Sequence, residues 1–482
     1  MKYFAGTLLY LVLSVSAFAQ QAVLGHTYSD PFIADPGQAQ IFDELNRLFK
    51  TDLEQAAKLA YEQANKLLAS EKHAENPALA GQMLSNAAIA DAALGRYQQA
   101  AHTFEQALTL IEAEYKVFSP NLINALLASG ITSIELKKMQ DAENKFRWAQ
   151  HIQHRQGGVF NINQTEVNDW LTRLHLLQNQ LAAADLVQRF GLRIAESNFA
   201  LGSDSLNDAR LKAAAYFSER ASQVPFGKAE NYLLSRDYIF RQSVVLYKSA
   251  IASVESTHGH NDPRLIEPLR SFAKTRIRQG TSTRAAIPLL ERVLGIITKQ
   301  STVDPLDHIR AWLELGDIYI ISGDKQARTA YAAAWVLLEN LPDETEARNS
   351  LFTEPKLLYP NKLAPLLLER RPVATGPDED EFYADISYVV SEAGKVEKIE
   401  VHDKNVPHSQ VKILKNLLMG SRFRPRLIAG EPEEFLKHHR QTFLLLAQSQ
   451  EPSSADDNPQ EAESTVPTEA APPDDIATRQ VE

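Results

Sequence analysis

A spacing of 42 residues that recurs through the middle of the chain constrains its fold more than any other feature. Each copy holds a large side chain between two small ones, on one face of a helix. The copies are Ala100, Phe104 and Ala107, then Ala142, Phe146 and Ala149, then Ala184, Gln188 and Gly191 in degraded form. A small residue on one helix lets a large one on its neighbour pack closely. The recurrence therefore predicts stacked helix pairs.

The helix before each copy follows the same period, with small residues at Ala88, Gly130 and Thr172. Further helix pairs are expected beyond Asp204, with an inserted loop near residues 225–227. We count about six pairs between Ile41 and Leu341 on this repeat pattern. We therefore expect a mainly α solenoid over residues 38–341.

One stretch of this region identifies the kind of repeat. Trp312, Leu315, Gly316 and Tyr319 reproduce the pattern W-x2-L-G-x2-Y. The chain here resembles the tetratricopeptide repeat family, in a longer form of 42 residues. The resemblance implies protein or peptide binding in a concave groove, with the frame residues as the core between helices. The predicted repeat-core residues are Ala100, Phe104, Ala107, Ala142, Phe146, Ala149, Trp312, Gly316 and Tyr319.

The pattern changes after residue 341. Prolines punctuate residues 342–380, which we interpret as a connector that partly packs on its neighbours. A period of two then begins, and it predicts an α+β domain over residues 381–448 in the order strand, strand, helix, strand, strand. The inward residues of the first strand are predicted to be Phe382, Ala384, Ile386, Tyr388 and Val390, and those of the helix Val411, Leu414 and Leu418.

Two motifs in this domain point to a family. They are Glu392-Ala393-Gly394-Lys395-Val396 and Phe423-Arg424-Pro425. The domain resembles the C-terminal domain of the TonB energy-transducer family. The resemblance implies capture of short extended segments of envelope proteins beside the last strand, by strand addition. The candidate partner-binding residues on that strand are Phe435, Lys437, His439 and Gln441.

The two ends of the chain carry signals of their own. Lys2, an apolar run and the sequence Ala17-Phe18-Ala19 predict a signal peptide over residues 1–19 with cleavage after Ala19. The apolar run is shorter than the roughly 20 residues that span a bilayer, although an uncleaved anchor is the alternative. We therefore expect a protein of the Gram-negative periplasm that does not span the membrane after cleavage. Residues 449–482 are acidic and rich in proline, which predicts a disordered tail.

Charge and composition narrow the function. The net charge of -11 argues against nucleic acid as a partner. The chain has no cysteine, so thiolate nucleophiles and disulfides are excluded. Basic residues make the small domain locally positive, which indicates either a solvated face or an acidic partner.

Candidate catalytic residues are few. His258 with His260, and His438 with His439, are the candidates for a metal site, although adjacent strand residues point to opposite faces. Glu112 with Glu114 is a candidate acid–base pair, without the apolar setting that such chemistry requires. No nucleophile or phosphate-binding motif is present. We expect no enzymatic activity and no cofactor.

These features predict an adaptor that binds envelope proteins or peptide segments through the repeat groove and through strand capture. Two alternatives stay open. One is an envelope enzyme that acts on cell-wall peptides through an unrecognised site. The other is a purely structural role, in which the small domain caps the apolar end of the solenoid. The sequence leaves the oligomeric state undetermined.

Overall fold

A computed structural model describes residues 19–70, 76–224, 235–280, 283–300, 302, 304–341, 351–360, 366–368 and 381–445. Several predictions fall outside these ranges. They concern all but the last residue of the signal peptide, the loop near residues 225–227 and the acidic tail at 449–482.

Between Pro36 and Glu339, the described residues form fourteen α-helices that pack as seven consecutive pairs, one more than expected. The expectation of a mainly helical array followed by a small sheet domain is confirmed. The helices are α1 (Pro36–Thr51), α2 (Leu53–Ala69), α3 (Pro77–Ala93), α4 (Tyr97–Tyr115), α5 (Ile123–Glu135), α6 (Met139–Gly157), α7 (Thr165–Leu177), α8 (Leu181–Asn198), α9 (Asp204–Ser222), α10 (Arg236–His258), α11 (Ile266–Gln279), α12 (Ile287–Ile297), α13 (Pro305–Ser322) and α14 (Ala327–Glu339).

The pairs are held together by small residues that face large ones. A Cβ atom added to Gly130 on α5 would lie 2.5 Å from the ring of Phe146 on α6. One added to Gly316 on α13 would overlap Tyr331 on α14. In the degraded copy, Gln188 Nε2 instead donates a hydrogen bond of 3.2 Å to Thr172 Oγ1. A polar contact thus replaces the apolar one at the equivalent place in the third copy.

The predicted repeat-core residues lie between the helices. All are buried except Trp312, which is half-buried. Tyr319 donates a hydrogen bond of 3.0 Å to Glu291, and burial raises the pKa of its hydroxyl to about 12.

The elements of the C-terminal unit are β1 (Lys356–Tyr359), β2 (Leu366–Leu368), β3 (Phe382–Val390), β4 (Val396–Lys404), α15 (His408–Gly420), β5 (Arg422–Arg424), β6 (Arg426–Ile428), β7 (Glu431–Glu433) and β8 (Phe435–Leu445). The unit is built on a sheet with the strand order β2-β8-β3-β4. On one face of it, α15 packs through Val411, Leu414 and Leu418. The inward residues predicted for β3 are all buried.

Two features of this unit differ from the expectation. Pro425 interrupts the predicted third strand, so β5 pairs with β1, and β6 pairs with β7, outside the main sheet. The region interpreted as a connector supplies β1 and β2. Strands of three or four residues are too short to show a period of two, and the chain segments with which they pair lie far away in sequence.

Candidate functional site

Helix α3 carries two amide side chains where an apolar surface is expected. Every residue from Ala78 to Ala92 is buried, and these include Gln82 and Asn86. Because the two amides are four residues apart, they lie on the same face of the helix. A buried amide costs free energy unless its donors and acceptor find partners, so the partners of these two indicate what covers α3.

Those partners are backbone groups of residues 26–33, here called the N-terminal segment. Asn86 Oδ1 accepts a hydrogen bond of 2.8 Å from the Tyr28 amide, and Asn86 Nδ2 donates one of 3.1 Å to the Tyr28 carbonyl. Gln82 accepts from the Phe32 amide at 3.0 Å and donates to the Asp30 carbonyl at 2.5 Å. We call Gln82 and Asn86 the amide clamp. It binds the backbone of a non-helical chain segment at two places.

Two aromatic side chains anchor the same segment. Tyr28 is buried among Phe42, Leu45 and Met83, and burial raises the pKa of its hydroxyl. That hydroxyl donates a hydrogen bond to the carbonyl of Asn121, just before α5. The Phe32 ring meets the Tyr28 ring edge-on, with centroids 5.2 Å apart, and it meets the Tyr115 ring in the same way at 5.5 Å.

A third contact extends to the next helix pair. His26 Nε2 lies 3.0 Å from a carboxylate oxygen of Glu166 on α7, and this contact lowers the pKa of Glu166. The N-terminal segment therefore crosses the first helices of three successive pairs. We call the surface formed by α3, α5 and α7 the groove. Sequence reasoning did not identify the amide clamp, although two amides four residues apart in an apolar helix were a visible signal.

A second site lies where the C-terminal unit meets the last helix pair. Arg424 on β5 is buried, and its guanidinium binds Asp317 on α13 through two hydrogen bonds of 2.9 and 2.8 Å. Tyr331 donates a hydrogen bond of 2.9 Å to the same carboxylate. A largely desolvated pair in which one edge of the guanidinium meets both carboxylate oxygens holds one relative orientation of the two parts.

Two turns of the C-terminal unit meet the same helix pair. A Cβ atom added to Gly394 would lie 3.0 Å from Ile320, and one added to Gly430 would lie 3.2 Å from Trp335. Both motifs that suggested the TonB resemblance, around Gly394 and Arg424, therefore lie against the repeat array.

The candidate partner-binding residues lie on β8. This strand pairs with β3 along Phe435–Phe443, and with β2 only at Phe443–Leu445. Within the described residues, the second edge of β8 therefore pairs with no strand before Phe443. Phe435, Lys437 and His439 are half-buried and Gln441 is buried. Burial lowers the pKa of His439, which lies 3.3 Å from Gln441.

The histidines proposed for a metal site form separate contacts. His258 lies 3.7 Å from Asp204, and His260 lies 3.6 Å from Glu255. The structure brings His438 near His402, with ring centroids 6.0 Å apart, while His402 bonds to Ser387 at 2.7 Å. Among the described residues, the histidine and carboxylate side chains form no group of three or more that could hold a metal ion.

A separate cleft of about 380 Å³ opens between α7, α8 and α9, where the repeat frame is degraded. Its wall includes Val187, Gly191 and Phe199. At its rim, Asp169 and Lys212 form an exposed ion pair. The cleft is mainly apolar, and the ion pair is its principal charged feature.

No protein-family model matches the sequence, and no curated protein is significantly similar to it. Solved structures that match the chain include BtubC (BKLC) from P. vanneervenii, at 16% identity and a TM-score of 0.37, over 57% of this chain and 98% of that one. Another is a tetratricopeptide repeat protein from Parabacteroides merdae, at 14% identity and a TM-score of 0.34, over 63% and 94%. The assignment of a tetratricopeptide-type architecture rests on the helix pairs of this chain.

Within the described part of the chain, no helix combines the length and apolar character needed to cross a bilayer.

Proposed function

We propose that this protein is an interaction scaffold of the Gram-negative periplasm that binds extended segments of envelope proteins, and that it has no catalytic role. One observation carries the proposal. The amide clamp forms four hydrogen bonds with the backbone of a non-helical stretch of polypeptide. A surface that satisfies backbone groups in this way suits peptide recognition, with side-chain pockets adding specificity.

The C-terminal unit supplies a second binding mode in this proposal. Its resemblance to the TonB C-terminal domain suggests strand capture, and the edge of β8 before Phe443 offers backbone groups for it. Leu436 on this strand is 55% exposed, so an apolar contact is available beside the edge. Export is part of the same proposal, because envelope partners require it.

Export is tested by fractionating cells that express the full chain and sequencing the N-terminus of the periplasmic form. We expect Gln20 as the first residue. A protein that remains in the cytoplasm with residue 1 intact would exclude the periplasmic part of the proposal and leave the binding surfaces unaffected.

Binding is tested by photocrosslinking in intact cells, with a photoreactive residue at Leu436 on β8 or at Glu166 in the groove, whose side chain is 55% exposed. Val245 on α10, 62% exposed, is the matched control position. We expect crosslinks to one envelope protein from Leu436 or Glu166 and none to that protein from Val245. Equal crosslinking from all three positions would mean that the contacts are nonspecific.

A structural cap is the second candidate role for the C-terminal unit, and the buried Arg424–Asp317 pair favours it. Removing residues 381–482 would expose the apolar surfaces of Trp335 and Phe352. The cap hypothesis expects a lower unfolding midpoint for the truncated chain, measured by circular dichroism. An unchanged midpoint would exclude it.

A further inference from the structure

The groove already holds a ligand, which is part of the same chain. The N-terminal segment satisfies the amide clamp through backbone groups alone. Backbone groups are the same in nearly every residue, so the clamp itself does not require this particular sequence. Any extended segment with two suitably spaced anchors can form the same four hydrogen bonds.

The structure also shows why the segment can leave. Residues 27–33 lie outside helices and strands, and no helix or sheet ladder ties their backbone to the array. Ser29, Asp30 and Ile33 are exposed, so one side of the segment already faces solvent. Under the proposed cleavage after Ala19, only residues 20–25 precede the segment. Residues 20–24 are helical, and Val23 among them is buried in the core of the array. Release of the segment is therefore a local opening that also withdraws Val23, while the helix pairs beneath it stay folded.

Departure of the segment without a replacement is unfavourable. Gln82 and Asn86 would lose four hydrogen bonds on a buried face, and the pockets of Tyr28 and Phe32 would open to water. A second segment that restores the four hydrogen bonds and fills the two aromatic pockets removes this free-energy cost. The groove therefore favours exchange of one extended segment for another over a long-lived empty state.

We propose that the N-terminal segment is an internal ligand that is displaced by an extended segment of a partner protein with two aromatic side chains four residues apart. This inference rests on the proposed function and defines its ligand. The first aromatic residue takes the place of Tyr28, where a hydroxyl can donate to Asn121, and the second takes the place of Phe32. The residues between them are free to vary, as the exposed Ser29 and Asp30 are here.

A further preference follows from Glu166. In this chain His26, two residues before the first aromatic anchor, lies 3.0 Å from its carboxylate. A histidine, or another side chain that donates a hydrogen bond, would form the same contact at that position of the partner segment. The recognised pattern is therefore a hydrogen-bond donor, one residue of any kind, an aromatic residue, three residues of any kind and a second aromatic residue.

Competition from the internal ligand has a measurable consequence. A tethered ligand acts at an effective concentration on the order of millimolar, so a free peptide of the same sequence competes poorly with it. Weakening the anchors of the segment should therefore raise the apparent affinity for a free peptide, because the open groove is more populated.

The test uses the full chain and a fluorescent peptide with the sequence of residues 24–35, followed by anisotropy. The Tyr28→Ala/Phe32→Ala chain should bind the peptide at least about tenfold more tightly than wild type. The matched control is Ser29→Ala/Ile33→Ala, which changes exposed residues of the same segment and should behave as wild type. Adding Asn86→Ala to the first variant should remove the gain, whereas adding Ser85→Ala, on the same turn of α3, should preserve it.

Equal peptide affinity of the Tyr28→Ala/Phe32→Ala chain and wild type, or binding by neither, would overturn the proposal. Circular dichroism establishes that each variant keeps its helices. Since the peptide comes from this chain, failure here leaves the crosslinking test of the proposed function unaffected.

Hydrogen exchange of wild type tests the same idea without substitutions. The amides of Tyr28 and Phe32 should exchange at least about tenfold faster than the amides within α3, because the segment opens separately from the array. Exchange at the rate of α3 would show that the segment is a permanent part of the array.

Discussion

Arg424 and Asp317 lie 107 residues apart in sequence, and two hydrogen bonds join their side chains between the C-terminal unit and the last helix pair, with Arg424 buried and Asp317 half-buried. Arg424 is 4% exposed, so nearly all of its hydration is lost. Pairs of this kind are sensitive to the removal of one partner, because the remaining charge is then buried alone.

Arg424→Ala should therefore lower the free energy of unfolding by about 3 kcal/mol, measured by urea denaturation. The matched control is Arg426→Ala, two residues away. Arg426 is about one-third exposed, and its guanidinium lies 4.0 Å from Glu433. The free energy of unfolding of that variant should fall by less than about 1 kcal/mol. Equal effects of the two substitutions would show that Arg424 does not hold the unit on the array.

Replacement by alanine of two glycines at frame positions of the repeats should change the stability of the fold in opposite directions. Gly130→Ala should lower the unfolding midpoint and reduce the free energy of unfolding by about 1–3 kcal/mol, because the new methyl group overlaps the Phe146 ring. Gly191→Ala should raise stability by about 0.5–1 kcal/mol, because no heavy atom of the described residues lies within 4 Å of the added Cβ and alanine favours the helix. Thermal unfolding of both variants measures the difference. A stabilising Gly130→Ala would contradict the observed packing of α5 against α6.

Arg270 joins the sixth and seventh helix pairs. It is 1% exposed and contacts Glu314 at 2.8 Å, Glu267 at 2.9 Å and Asp307 at 3.3 Å. Arg270→Ala leaves these partly exposed carboxylates without their shared cation and should lower the free energy of unfolding by about 1.5–3 kcal/mol. Arg310→Ala is the control. Arg310 lies near Glu267 and Glu314 but is 46% exposed. Its substitution should lower the free energy of unfolding by less than about 1 kcal/mol. Urea denaturation of the full chain compares the two variants. If Arg270→Ala lowers the free energy of unfolding by less than about 1 kcal/mol, the contacts of the buried Arg270 do not stabilise the array.

His439 should make stability depend on pH. Burial lowers its pKa, and the nearby Lys437 acts in the same direction. The unfolded chain therefore binds the proton first as the pH falls. By linkage, stability decreases from about pH 6.5 downward until the folded pKa is reached.

His439→Gln should flatten this decrease, measured by urea denaturation between pH 7.5 and pH 5. His408→Gln, at an exposed position, should keep the wild-type slope. A wild-type slope in the His439→Gln variant would mean that other groups cause the acid sensitivity.

The sequence alone was sufficient for features with a local period. The frame that repeats every 42 residues identified helix pairs, since packing of small against large residues requires the same residue types in each copy. The alternation from Phe382 to Val390 identified β3 and its inward face. Within each copy of the frame, and along the strand, the residues that form the pattern lie only two to four positions apart. Both patterns can therefore be recognised without a structure.

The tertiary structure alone decided what the remaining polar residues do. Asn86 forms a hydrogen bond with Tyr28, which lies 58 residues away in sequence, and Arg424 forms one with Asp317, which lies 107 residues away. A buried amide or guanidinium is stable only beside its partner, and no local period indicates which distant backbone or carboxylate that partner is. For this reason the sequence indicated a repeat array and a small sheet domain, whereas the occupied groove and the contacts that join the C-terminal unit to the array emerged only from the folded chain.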